Sequence, residues 1–217
     1  MARTHGVDEV ARIRWCAVAG LAACVAYPLA VFAPLPKLVV VVLAAFLGPL
    51  LAAGSWGLRM FVHLDRRRFA ADLAAISNAL AGALLTAMLL VQLAAKLRGA
   101  GGAPPEVVPV WLGLDVAWDV YVGLGTLMFG IAFFRHPRLG SLVGGSGIVL
   151  AVGLLAFNLY TFPEPPADAG LIDLGPFVGL WYMVATLVVL ASLRWARAVV
   201  EERGEADPGA GPWELGK

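Results

Sequence analysis

Six long apolar stretches, separated by short polar breaks, organise the chain. They run over Trp15–Ala33, Leu38–Trp56, Leu73–Ala95, Val110–Phe134, Leu142–Phe162 and Leu174–Leu193. Each is close to the ~20 residues that a helix needs to cross a hydrocarbon core about 30 Å thick. None alternates apolar and polar positions as a barrel strand does. The breaks carry turn chemistry: Pro34-Leu35-Pro36, the Gly- and Pro-rich stretch from Gly99 to Pro105, His136-Pro137, and Pro163-Glu164-Pro165-Pro166. The pattern predicts an all-α integral membrane bundle of about six transmembrane helices. Three regions are expected: a cytoplasmic N-terminal segment 1–14, a transmembrane domain 15–195, and a flexible cytoplasmic polar tail 196–217.

Composition points to the same solvent. Hydrophobic residues make up 60% of the chain and charged residues 14%, with a mean hydropathy of +0.83. A soluble domain carries about a quarter charged residues to cover its surface. A net charge of +1 argues against a nucleic-acid partner, because neutralising phosphates takes a concentrated basic face. The excess of Arg over Lys, with abundant Ala, Gly, Leu and Val, is the codon bias expected of a GC-rich bacterial genome.

Basic residues set the expected orientation. With the N-terminus inside, the inner side receives Arg3, Arg12, Arg14, Arg59, Arg66, Arg67, Arg68, Arg135, Arg138, Arg194, Arg197 and Arg203. The outer side receives only Lys37, Lys96 and Arg98. Both termini are therefore expected in the cytoplasm, in the plasma membrane of a bacterium. Arg66-Arg67-Arg68 reads as part of that topology signal. Leu21-Ala22-Ala23-Cys24 matches a lipobox and Val31-Phe32-Ala33 loosely resembles a signal-peptidase site. The chain stays apolar from Val25 to Phe32, where a processed lipoprotein turns polar, so an uncleaved first helix is expected. Cys16 and Cys24, about two turns apart on that helix, are too distant for a mutual disulfide.

Small residues would let these helices approach closely. Gly140/Gly144 and Gly175/Gly179 have GxxxG spacing. The segments Gly57-Leu58-Arg59-Met60-Phe61 and Gly125-Thr126-Leu127-Met128-Phe129 hint at a repeat of helical hairpins.

Placing the acids on this topology changes the picture. Glu106, Asp115, Asp119, Glu164, Asp168 and Asp173 all fall on the outer side or in the outer membrane half, so that face is acidic and favours cations. Asp115 and Asp119 stand at i, i+4, which puts both carboxylates on one helix face, about 6 Å apart. Two like charges that close, beside a low dielectric, call for a proton or a cation. Lys96 and Arg98, at the end of the preceding span, are the candidate ion-pair partners. Asn158 and Tyr160, with Thr161, would add neutral ligands, or else interhelical hydrogen bonds. The plainer alternative slides the fourth span outward. Both aspartates then reach interfacial water beside Trp111 and Trp118, which become ordinary belt residues.

Catalytic signatures do not appear: there is no HExxH, CxxC, GxSxG or P-loop pattern. His5, His63 and His136 all fall on the inner side, and for His63 and His136, at helix ends near arginines, a solvated interfacial role is expected rather than metal binding. No metal and no cofactor are expected.

The stretches Gly113-Leu114-Asp115-Val116-Ala117-Trp118-Asp119 and Asp173–Tyr182 resemble those of bacterial multi-pass membrane proteins without an assigned activity. The resemblance covers the C-terminal half and implies the membrane class alone. Three functional readings follow. The first is binding or transport of a proton or small cationic solute at Asp115 and Asp119. The second is a structural or accessory membrane subunit, and the third a lipid-modifying enzyme, disfavoured for want of a nucleophile and base. The expected partners are the lipid bilayer, a small cationic ligand, and a second copy or another membrane subunit.

Overall fold

Every apolar run becomes a helix, because a chain with no polar neighbours must satisfy its own peptide groups internally. A computed structural model describes residues 2–98 and 104–206. Among the described residues the fold is wholly helical, with no strand: α1 (Ala2–Phe32), α2 (Lys37–His63), α3 (Phe69–Arg98), α4 (Val108–Phe133), α5 (Gly140–Thr161), α6 (Gly175–Ala191) and α7 (Leu193–Ala206). The helices α1 to α5 are long and apolar enough to cross a membrane. The 17-residue α6 falls short by itself, and bends by 55° into α7 at Ser192; taken as one broken span, the pair makes six. These are the features of a multi-pass membrane protein.

The helices overrun the apolar runs at both ends of the chain. The first starts at Ala2 rather than near residue 15 because Val10, Ile13 and Ala17, at i, i+3 and i+7, continue one buried face. The tail expected to be flexible from residue 196 is helical as far as Ala206. There Ala196 is buried, while Trp195, Val199 and Val200 pack against the core. Residues 207–217 lie outside the described residues.

Sequential helices pack side by side from α1 to α5. The sixth returns against α1, α2 and α5 to close the bundle, and α7 folds back onto α1. Contacts between glycines set the spacing. Gly20 meets Gly54, Gly48 meets Gly82, and Gly130 meets Gly144, each so closely that an added Cβ would run into backbone. The GxxxG expectation holds only for Gly144. Gly140 starts α5 at φ +70°, a left-handed conformation that favours glycine, and Gly179 has no neighbour within 4 Å. Spacing along one helix does not say which face a neighbour covers.

A neutral polar network crosses the centre of the bundle. The Asn78 amide donates to Ser55 Oγ at 3.0 Å and to Tyr182 Oη at 2.7 Å. Tyr182 and Thr126 hydroxyls lie 3.2 Å apart, and Thr126 donates to the Val122 carbonyl at 2.7 Å. Four helices (α2, α3, α4 and α6) are thereby joined through buried side chains.

One end of the bundle is basic and internally paired. Arg59 donates to Asp72, which also stands 3.6 Å from His63 Nε2. Arg68 bonds Asp65 at 2.8 Å and the Arg135 carbonyl at 3.2 Å. Arg203 on α7 donates to the carbonyls of His63 and Leu64. His136, expected at a solvated interface, is instead 1% exposed. It packs between Phe61 and Trp195, and its Nδ1 accepts the backbone N–H of Arg138 at 3.2 Å. Burial pushes the imidazole down to about 4 and keeps it neutral. The expected solvated role fails because α7 covers this position.

Candidate functional site

The opposite end gathers the C-terminus of α1, the start of α4, the end of α5, and the loop that leads into α6. The i, i+4 spacing sets Asp115 and Asp119 on one face of α4, the face that continues inward through Val122, Thr126 and Phe129 into the core. Depth along that face separates the two acids. Asp115 is half-buried, whereas Asp119 is only 6% exposed.

From α5, Asn158 brings its amide against the Asp119 carboxyl. It is 1% exposed and donates to the Leu154 carbonyl at 3.0 Å. The loop before α6 contributes Asp168 and Asp173, both exposed, as the charged neighbours of Asp115. Asp173 Oδ1 accepts the Gly175 N–H at 2.8 Å, which fixes this carboxylate at the start of α6. A Cβ on Gly175 would lie 3.2 Å from that oxygen and 3.7 Å from the Trp118 ring. The acids thus descend from an exposed rim (Asp168, Asp173) through Asp115 to the buried Asp119.

One wall is aromatic. Tyr27 on α1 stacks on Trp118 with ring centroids 6.5 Å apart and planes 17° from parallel. The Tyr27 hydroxyl has Asp115, Asp173 and Asp119 as its charged neighbours. Three buried polar atoms here are left without a hydrogen-bond partner among the described residues: Asp119 Oδ1, Asn158 Oδ1 and Trp118 Nε1. Orphaned polar atoms are uncommon in a packed interior, and two of these three are acceptors.

Several residues expected in the site are elsewhere. Tyr160 is 85% exposed, because two residues beyond Asn158 a helix has turned some 200° to its other side. Thr161 spends its hydroxyl on the carbonyls of Phe157 and Glu164. Lys96 is exposed and makes no ion pair among the described residues. The side chain of Arg98 lies outside the described residues. All the salt bridges among the described residues involve Asp65 or Asp72 at the basic end, and none of these involves Asp115, Asp119, Asp168 or Asp173.

Tyr27 carried no sequence signal for this site, and Asp173 was visible only as one of the outer-face acids, since only tertiary packing brings α1 and the α6 loop beside α4. The Ser55–Asn78–Thr126–Tyr182 network was half-visible: a lone amide such as Asn78 inside an apolar span calls for a partner.

No protein-family model matches the chain, and no curated protein or solved structure is similar to it. The chemistry open to this end of the bundle is what its own side chains allow. Carboxylates that form no ion pair among the described residues can hold a proton or an external cation, and the neutral amide beside Asp119 offers either one a second oxygen.

Proposed function

We propose that the protein is a multi-pass protein of the bacterial plasma membrane, and that it binds a proton or a small cationic solute at its acidic end, as a binding or transport protein. Insertion is supported by the ring of large apolar side chains left exposed on the helices, among them Phe46, Ile76, Leu142 and Val149, which suits lipid rather than water. In this reading the termini and the basic end face the cytoplasm and the acidic end faces outward, which the arginines concentrated at the basic end support. In a background lacking Cys16 and Cys24, a cysteine at Glu164 is expected to react with an impermeant thiol reagent on intact cells. One at Arg197 is expected to stay protected, and the reverse pattern would invert the orientation.

One observation carries the function: Asp119 is buried beside Asn158 with Oδ1 unpartnered, and no cation among the described residues answers it. An isolated carboxylate in such a place is costly unless a proton or a positive ligand joins it. The test is the thermal midpoint of the purified full chain in detergent, titrated with inorganic and organic cations at several pH values. A cation- or pH-dependent rise is expected in the parent protein and not in Asp119→Asn. A parent protein indifferent to every cation and to pH would favour the accessory-subunit reading, with acids that serve only the interface.

A further inference from the structure

We infer that the ligand of the acidic end is an alkylammonium ion, its N–H groups meeting Asp119 Oδ1 and Asn158 Oδ1 and its carbon chain lying against the stacked Tyr27 and Trp118 rings. This deepens the cation-binding reading above and rests on it.

Three features separate an organic cation from a bare proton or an inorganic ion. The first is the pair of buried acceptors. Asp119 Oδ1 and Asn158 Oδ1 come from different helices, are both shielded from solvent, and both lack a donor. A proton on Asp119 supplies one donor, whereas a primary ammonium supplies three that point apart. The second is the wall. Tyr27 and Trp118 set two aromatic rings beside the carboxylates, where a metal ion would be served by further oxygen ligands. An aromatic face attracts a positive charge within about 6 Å of its centroid and also shelters methylene groups from water. The third is the graded rim. Exposed Asp168 and Asp173 favour a cation at this end, and half-buried Asp115 is the next carboxylate on α4 before Asp119. Hard divalent cations want six to eight oxygens about them, and among the described residues no three His, Cys, Asp or Glu side chains are placed to hold a metal ion.

The experiment compares n-butylammonium chloride with sodium chloride at equal ionic strength, using the thermal midpoint of the purified full chain and its concentration dependence. Butylammonium is expected to raise the midpoint in a saturable way, with sodium at least tenfold weaker. Tetramethylammonium, which has no N–H to offer the two acceptors, is expected to fall between them. Tyr27→Leu, which removes the ring, should weaken butylammonium roughly tenfold. Sodium matching butylammonium in the parent, with both effects lost in Asp119→Asn, would overturn the alkylammonium assignment and leave the cation-binding reading standing. No stabilisation by any of the three salts, together with no pH dependence, would remove both. The parent comparison decides the matter even if Tyr27→Leu does not fold.

Discussion

The two ends of this bundle treat the same residue type in opposite ways. At the basic end Asp65 and Asp72 are each met by arginines, and the surrounding carbonyls take up further guanidinium donors from Arg68 and Arg203. At the acidic end Asp119 is far more deeply buried than either, yet no arginine or lysine among the described residues reaches it. At the basic end α7 also lays Trp195 over His136 and Phe61. Among the described residues the acidic end has no ion pair of its own. A buried carboxylate without a partner is costly, and this contrast is what motivates the proposed binding site at the acidic end.

The largest expected effect probes how tightly each end is built. A side chain at Gly144 would enter the backbone of Phe134 and Gly130, whereas one at Gly113 meets nothing within 4 Å. Gly144→Val is expected to cost more than about 3 kcal/mol, enough to lose folded protein, because backbone cannot retreat as a side chain can. Gly113→Val should stay within about 0.5 kcal/mol of the parent. Denaturation in detergent checks both, and equal losses would mean that the two ends are packed alike.

A pH titration comes next. His136 titrates at about 4 in the fold against 6.5 for a free imidazole. Between those values the unfolded chain takes up a proton that the folded chain refuses. Its contribution is therefore intact above the free value and is lost as pH falls toward the folded one. By about pH 5 the loss should reach about 2 kcal/mol. His136→Asn, which keeps an acceptor near the Arg138 N–H, should remove that slope from a stability–pH curve. A slope unchanged by the substitution would assign the acid sensitivity to another group.

The smallest effect compares the acids directly. Asp72→Asn leaves Arg59 and His63 without their partner and is expected to cost about 1 kcal/mol, modest because the pair is partly exposed. Asp119→Asn breaks no pair found here and should leave the ligand-free protein as stable as the parent, or more so. A loss on Asp119→Asn as large as that on Asp72→Asn would give Asp119 an internal partner and erase the contrast between the ends.

Much of the fold was legible in the chain because hydrophobicity is a local property. Runs of about twenty apolar residues specify helices wherever their ends finally lie, and all six runs became helical. The helix extensions were legible in part. Val10, Ile13 and Ala17 carry a helical period beyond the first run, and Ala196, Val199 and Val200 carry one beyond the last, although polar neighbours mask both. Of the site, the Asp115–Asp119 pair came from spacing alone, because i, i+4 residues share a face in any helix. Tyr160 was misplaced because closeness to Asn158 along the chain is not closeness on a helix surface.

What the sequence determined by itself was the class of element, the number of apolar runs and the segregation of charge between alternate loops, all of which depend on nearest neighbours and on the solvent around them. The tertiary structure alone decided which faces meet. It set Gly20 against Gly54, brought Asn78 to Tyr182, laid Trp195 over His136, and carried Tyr27 and Asp173 to the acids of α4. Those choices depend on how the helices share one interior, and a contact between residues far apart in the chain leaves no local period from which to read it.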